Sequence, residues 1–197
     1  MPNTTREQVL DAATKLFAEK GLALASLQEI ANSAKVNISV VRELFPGVEK
    51  LYEAVLETQF SHYAARMDAV FEGDAVPSEK IGLFAKAMCD VHEQAPYFFP
   101  LFYRELLNPS SYFEPIVKKK IQHVAYLADN NIARGIQKGT FKHGLNPANA
   151  TMFLAGMLHY YFLASRLAGS LLPEPANYGE YLAQVLKVYL RGLNKGS

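Results

Sequence analysis

The chain of 197 residues has few of the residues that build several common kinds of site. It holds one cysteine, Cys89, so an intramolecular disulfide and a cysteine-based zinc site are excluded. Its five histidines lack metal-ligand spacing, and the sequence contains neither a Gly-rich phosphate loop nor a Gly-x-Ser-x-Gly motif. Because no set of nucleophile, base and cofactor-binding residues is visible, we predict no metal, no cofactor and no enzyme activity.

Long apolar runs and an excess of one charge are also missing. The chain has 20 Lys+Arg and 19 Asp+Glu, a formal net charge of +1. No apolar stretch approaches the length of a signal peptide or a membrane span, so we expect a cytoplasmic protein without membrane contact. Half of the residues are hydrophobic, and no tryptophan occurs among them, which is typical of a globular protein with a real core. Cys89 lies among apolar residues and is predicted to be buried.

The most informative stretch is 27–45, where two short helical patterns follow one another. The first pattern places apolar residues at i, i+3, i+4 and i+7, namely Leu27, Ile30, Ala31 and Ala34. Ser26 precedes it and Glu29 follows three residues later, the spacing of a capping box. After a break, Asn37 is placed to cap a second helix, and the apolar residues Val41, Leu44 and Phe45 of this helix are predicted to belong to the core. Two short helices joined by a tight turn form a helix-turn-helix, whose second helix enters the DNA major groove.

The first fifty-five residues resemble the N-terminal domain of TetR-type transcriptional regulators. The residues that carry the resemblance are Thr5-Arg6-Glu7, the run from Leu16 to Gly21, Ser26 to Ala34, Val36, Phe45-Pro46 and Glu49. The resemblance implies a three-helix DNA-binding head, a connecting helix that begins near Glu49, and a helical regulatory domain that binds a small molecule. It also implies that ligand binding alters the spacing of two heads in a dimer.

Some positions differ from the usual pattern of that family. Lys35 in the turn and Ser39 in the second helix stand where glycine is usual, and Val48 replaces a lysine that grips a phosphate. Residues 1–60 hold six Lys+Arg and eight Asp+Glu, which gives a net charge of −2. Since nucleic-acid affinity comes largely from neutralising phosphates, we expect weak binding unless the few cations lie on one face.

Helical spacing continues through the remaining chain, and we predict an all-α protein of about nine helices. The expected division is a helix-turn-helix domain at 1–47 and a helical regulatory domain for ligand binding and dimerisation at 48–197. Helices are predicted over about 5–20, 49–72, 112–138 and 147–168, with Ser78 as a cap of another and a Pro-rich loop at 171–176.

Three candidate sites follow. For contact with double-stranded DNA we predict Thr5, Ser26, Gln28, Lys35, Asn37, Ser39, Val40, Arg42 and Glu43. For an apolar or aromatic small-molecule effector we predict Met88, His92, Phe99, Phe102, Tyr103, His123, Tyr126 and Tyr160, although packing in the bundle core is the alternative for each.

The third site is a homodimer interface. The helix 147–168 is apolar on nearly every side, and pairing it and the last helix with their two-fold copies would bury that surface. The predicted residues are Phe153, Met157, Tyr161, Leu182, Val185, Leu186 and Tyr189. A dimer would present two recognition helices to a palindromic operator.

The function predicted from the sequence is a ligand-responsive transcriptional regulator of the repressor type. The alternative is a helical dimer that binds small molecules or partners and whose head no longer reads DNA. Val48, Glu43 and the acidic head keep this alternative open.

Overall fold

The computed structural model describes residues 4–167 and 178–195. Within these residues the chain forms nine α-helices, which are α1 (Thr5–Lys20), α2 (Leu27–Ala34), α3 (Ile38–Leu44), α4 (Val48–Glu72), α5 (Pro77–Gln94), α6 (Phe98–Leu107), α7 (Lys119–Gln137), α8 (Pro147–Leu167) and α9 (Tyr178–Leu193). The all-α prediction is confirmed. The predicted loop at 171–176 lies outside the described residues.

Backbone contacts divide the chain into two compact units. The first comprises the described residues up to Tyr63 together with Ala95–Ile121, and the second comprises Ala64–Gln94 together with the described residues from Gln122 onward. α6 therefore belongs to the unit of the first three helices. The predicted boundary after residue 47 concerns function, and it stays a prediction.

The start of α1 shows how local sequence sets a helix boundary. The Thr4 hydroxyl accepts a bond from the Glu7 N–H, and the Glu7 carboxylate accepts one from the Thr4 N–H at 2.7 Å. These two bonds satisfy backbone donors that the first turn leaves unpaired. The helix ends before Gly21, which has a φ of 80°. Both ends lie where the capping residues predict them.

Two other predicted boundaries differ. α5 begins at Pro77, so Ser78 is already inside the helix and does not cap it. Proline suits the first helical position because its missing N–H would have no partner there. The predicted helix 112–138 begins as a π-helix over Phe113–Lys118 and becomes α-helical only at Lys119.

The core of the first unit forms around Phe17 on α1, Phe60 on α4 and Phe98 on α6, which are fully buried or nearly so. Phe60 and Phe98 lie with their ring centroids 4.9 Å apart, and Tyr63 stacks on Phe98 at 4.7 Å. Aromatic pairs at such distances add to the stabilisation that burial gives.

The second unit buries side chains of α5, α7, α8 and α9. The Tyr189 hydroxyl of α9 donates to the Ala150 carbonyl of α8 at 2.8 Å, which satisfies a polar group in an apolar setting. Cys89 is 2% exposed, as predicted, and burial raises the pKa of its thiol to about 12. The thiol is therefore protonated near neutral pH. None of the described helices is both long and apolar enough to cross a membrane.

One close approach in this unit requires glycine. A Cβ added at Gly135 of α7 would lie 2.1 Å from a ring carbon of Phe141, which is fully buried. A Cβ added at Gly82 of α5 would have no neighbour within 4 Å.

We predict that Gly135→Ala destabilises the protein by about 1–3 kcal/mol, because the ring of Phe141 must move out of a packed core. Gly82→Ala is the matched control, and it should stabilise the chain by up to about 1 kcal/mol through helix propensity. Urea denaturation of both variants measures the two effects. Equal stability of the two variants would contradict the packing described here.

Candidate nucleic-acid interface

The two helices of the predicted helix-turn-helix form as expected, and their caps are visible. The Ser26 hydroxyl accepts a bond from the Glu29 N–H at 3.2 Å at the start of α2. The Asn37 side chain accepts bonds from the N–H and the hydroxyl of Ser39, both at 2.9 Å, at the start of α3. These side chains take up the orphan backbone donors of two short helices that propensity alone would not hold.

The turn between the helices contains a left-handed residue. Lys35 has φ 57° and ψ 39°, and its N–H bonds the carbonyl of Asn32 at 3.2 Å. Among the described residues other than glycine, Lys35 alone has a positive φ. A side chain in this conformation costs about 1–2 kcal/mol relative to a right-handed one. Glycine would adopt this left-handed backbone conformation at a lower free-energy cost than lysine does.

The outward face of α3 is polar. Ser39, Arg42 and Glu43 are exposed, whereas Val41 is fully buried. The prediction that Leu44 belongs to the core is wrong, because it is 37% exposed. At about 100° per residue, Phe45 lies about 40° from Val41 and Leu44 about 60° on its other side, so Leu44 sits at the edge of the buried stripe.

The remaining residues predicted for DNA contact lie around this face. Thr5, Ser26, Gln28, Lys35 and Asn37 are exposed, and Val40 is half-buried. The Gln28 amide donates to the Asn32 side chain at 3.1 Å. Because the Ser26 and Ser39 hydroxyls are bonded within the chain, each would have to share or exchange a bond to reach a phosphate.

Some cations near the helix-turn-helix are already paired with carboxylates, whereas others are available for contact with DNA. Lys20 pairs with Glu29 at 2.6 Å, and Lys50 pairs with Glu53 at 2.7 Å. Lys35 and Arg42 form no ion pair with a described residue, so their charge is available to a phosphate. Sequence reasoning missed Arg6, whose guanidinium lies 5.4 Å from the ring centre of Phe45 beside the end of α3. Its only signal was a cation next to Thr5 in the first turn.

A second feature was missed, on α6. The Arg104 guanidinium donates to the carbonyls of Ala18, at 2.9 Å, and of Glu19 at the end of α1. The next residue, Glu105, is 2% exposed and accepts a bond from the Tyr52 hydroxyl of α4 at 2.7 Å. Burial and the Glu105 carboxylate raise the pKa of Tyr52 far above its ordinary value. Two adjacent side chains of α6 thus bond the C-terminal end of α1 and a residue near the start of α4.

The residues predicted for an effector are divided between the two units. Phe99, Phe102 and Tyr103 belong to the first unit, whereas Met88, His92, His123, Tyr126 and Tyr160 belong to the second. Met88 and Phe99 are buried, and Tyr126 and Tyr160 are each 63% exposed. His123 pairs with Asp68 at 2.6 Å on the surface. Their role in binding stays a prediction.

An aromatic group in the second unit includes one of these residues. The His92 ring stacks on Phe162 with centroids 3.5 Å apart, and it lies 5.7 Å from the ring of His159. Burial lowers the pKa of His159 from its ordinary 6.5 to about 4. His159 is therefore neutral in the folded chain at pH 7.

Acid should destabilise the protein through His159. The pKa of His159 is 6.5 in the unfolded chain and about 4 in the folded chain. As the pH falls below 6.5, His159 is therefore protonated in the unfolded chain before it is protonated in the folded chain. Stability contributed by neutral His159 is thus full above pH 6.5 and is lost progressively towards pH 4, by up to about 3 kcal/mol.

Denaturation at pH 7 and pH 5 should show this loss in the wild type and a smaller loss in His159→Leu. The exposed His62 provides the control, and His62→Leu should follow the wild type. An identical pH dependence in all three proteins would refute the assignment to His159.

The residues predicted for the dimer interface fall into two groups. Val185 and Tyr189 are 7% and 6% exposed, so they pack inside the second unit. Phe153 is 65% exposed, and Met157, Tyr161, Leu182 and Leu186 are half-buried. α8 also exposes Met152, Tyr160 and Leu163, which lie at i, i+8 and i+11 on one side of the helix.

Comparison with known proteins finds similarity to bacterial transcriptional regulators. Residues 9–55 match the family model described as "Bacterial regulatory proteins, tetR family". The chain is 23% identical to the HTH-type transcriptional repressor NicS of Pseudomonas putida over 97% of this chain and 93% of that protein. The HTH-type transcriptional regulator HbdR of an Aromatoleum species is 29% identical over 44% of this chain and 38% of that protein.

Solved structures share the fold. The ketosteroid transcriptional regulator KstR2 of Mycobacterium tuberculosis has a TM-score of 0.79 at 20% identity, covering 99% of this chain and 97% of that chain. The transcriptional regulator FadR of Bacillus subtilis in complex with stearoyl-CoA has a TM-score of 0.75 at 18% identity, covering 94% and 97%.

Proposed function

We propose, from the premise that this chain belongs to the TetR family of bacterial transcriptional regulators, that it is a repressor released from its operator by a small apolar molecule. The observation that carries the DNA-binding part is the exposed polar face of α3, with Ser39, Arg42 and Glu43 presented by a capped helix-turn-helix. A helix of this kind reads base edges in the major groove while neighbouring groups contact phosphates.

Cations beside α3 are proposed to anchor the head on the DNA backbone. Lys35, Arg42 and Arg6 form no ion pair with a described residue, and Arg6 and Arg42 lie on or beside α3. Arg42 is also able to donate to a guanine edge. The strain at Lys35 supports its role, since a side chain kept in the left-handed region commonly marks a functional position. With so few cations, affinity should be low, and its salt dependence should reflect a small number of phosphate contacts per head.

The test is a salt titration of binding to the promoter regions of the neighbouring genes. Lys35→Gly should lower affinity at every salt concentration and make the slope of log K against log salt shallower by about 1 for each bound head, because each head loses one phosphate contact. Thermal stability of this variant should equal or exceed that of the wild type, since glycine relieves the left-handed strain. Lost binding could not then be attributed to unfolding.

Lys119→Gln, which removes an exposed cation of α7, is the control and should leave the titration unchanged. If the wild type showed no preference for these promoters over unrelated DNA at low salt, the repressor proposal would fail. The alternative, a helical dimer with a degenerate head, would then be favoured.

Dimerisation is proposed through the apolar face of α8. Met152, Phe153, Tyr160 and Leu163 leave much of their surface in solvent, and Val188 of α9 is 65% exposed. A Cβ added at Gly156 would meet nothing within 4 Å, so the middle of this face is open to a close partner. A second copy related by a two-fold axis would cover the same patch on both chains.

Tyr160→Asp should convert the dimer into a monomer and abolish cooperative binding to a palindrome, because a charge would be buried at the interface. Leu83→Asp, at an exposed leucine of α5, is the matched control and should remain dimeric. Light scattering after size-exclusion chromatography gives the masses. A monomeric wild type, or a dimeric Tyr160→Asp variant, would exclude this interface.

An apolar or aromatic effector is supported by the aromatic residues of both units and by the relatives. Phe98, Phe99, Phe102 and Tyr103 form ring contacts along α6. The names of the structural relatives refer to a ketosteroid and to stearoyl-CoA. An effector can act only by binding one spacing of the two heads more tightly than the other.

A melting-temperature screen with aromatic acids, steroids and fatty acyl compounds tests this proposal. A true effector should raise the melting temperature and weaken promoter binding in the same concentration range. A compound that stabilises the protein without any effect on DNA affinity would be a ligand but not the effector. Silence across the whole set would contradict an apolar effector.

A further inference from the structure

Two adjoining cavities lie in the second unit, where the end of α4 and the start of α5 meet α7. Their volumes are about 210 Å³ and 150 Å³, and both are lined by Lys80, Asn131 and Arg134. The smaller one is called the basic cavity here. Its lining includes Asp74, Pro77, Lys80, Asn131, Arg134 and Lys138.

Lys80 is the most unusual of these residues. Lys80 is only 6% exposed, and its side-chain ammonium donates a hydrogen bond to the backbone carbonyl of Phe71. No described carboxylate forms an ion pair with it. An ammonium has three donors, so one carbonyl leaves two donors for a ligand or water. Buried charges are normally paired, and among the described residues no carboxylate pairs with this ammonium, so an anion from outside the chain would suit it.

Asn131 lines both cavities. It is 6% exposed, and its side-chain amide donates to the Pro77 carbonyl at 2.9 Å, which fixes α7 against the start of α5. Arg134 follows one turn later on α7, Lys138 comes directly after the end of that helix, and both are exposed. Neither forms an ion pair with a described residue, so both cations are available to a bound anion.

Charge around the basic cavity is therefore one-sided. Three cations and one carboxylate, Asp74, line it, a formal balance of +2. The cavity lies at the N-terminus of the 18-residue helix α5, whose dipole also favours a negative charge. The larger neighbouring cavity carries Asp68 and Glu72, which oppose an anion that extends in that direction. The site is thus suited to a compact anion and not to a long polyanion.

We propose that the basic cavity binds a small carboxylate or phosphate anion, with Lys80, Arg134 and Lys138 as its charged contacts. Arg134 can bind a carboxylate or a phosphate through two parallel hydrogen bonds. Lys80 can donate a further charge-assisted hydrogen bond, which solvent screens only weakly because Lys80 is buried. Bound anion would link the start of α5 to α7. This site does not depend on the proposed reading of DNA.

Isothermal titration of the full chain with inorganic phosphate and with succinate, each against chloride at equal ionic strength, tests the site. Phosphate or succinate should bind with a stoichiometry of one per chain, and the tighter of the two identifies the chemical class. Arg134→Gln should weaken that binding by about tenfold or more, through loss of a bidentate contact.

Lys187→Gln removes an exposed cation of α9 and is the matched control, which should bind as the wild type does. Lys138→Gln, a second exposed position, should weaken binding without unfolding the chain, and circular dichroism checks that the fold is intact. Equal binding by the wild type and Arg134→Gln, or no preference for either anion over chloride, would overturn the proposal. Since no DNA is used, failure here would not bear on the repressor proposal.

Discussion

The head of this molecule depends on a cation that comes from far along the chain. The Arg104 guanidinium of α6 bonds the carbonyls of Ala18 and Glu19, at the C-terminus of α1. These carbonyls have no partner within their own helix, and the cation also complements the negative end of the helix dipole. Gly21 lies beside this contact, and a Cβ there would stand 3.0 Å from Arg104 Nη1, so the guanidinium would have to shift by a few tenths of an ångström. The adjacent Glu105 extends the same anchor to Tyr52 of α4.

This anchor gives the small acidic head a contact beyond its own three helices. Three short helices bury few large side chains, and α2 and α3 rely on caps at Ser26 and Asn37 for their beginnings. Through Arg104 and Glu105, α6 bonds both α1 and α4. Glu105 also accepts bonds from Ser110 in the loop that follows, so the carboxylate joins that loop to α4. One polar network of α6 thus connects the end of α1, the start of α4 and the loop after α6.

Local patterns made much of the fold predictable. The capping box at Thr4, the N-cap at Ser26, the glycine stop at Gly21 and the Asn-Pro pair before α8 all act within four residues, so spacing alone locates them. At Ser26 the predicted box is incomplete, because the Glu29 carboxylate accepts a bond from the Ser26 hydroxyl and not from its backbone N–H. Arg104 could not be found in this way, because its partners are backbone carbonyls 85 and 86 residues earlier. Lys80 was invisible for the same reason, as its burial depends on contacts between helices. Leu44 was misplaced because a seven-residue helix gives too few turns to fix the centre of its buried stripe.

Hydrogen–deuterium exchange on Arg104→Met and on the wild type tests the role of α6 most directly. The full chain should keep its helical content, while amides of α1 to α3 should exchange faster in the variant, because the end of α1 loses its partner and opens more often. Amides of α8 and α9 should be unchanged, which makes them the internal reference. If the amides of α1 to α3 exchanged at the same rate in the variant and the wild type, the head would be stable without Arg104. The central role given to this contact would then be wrong.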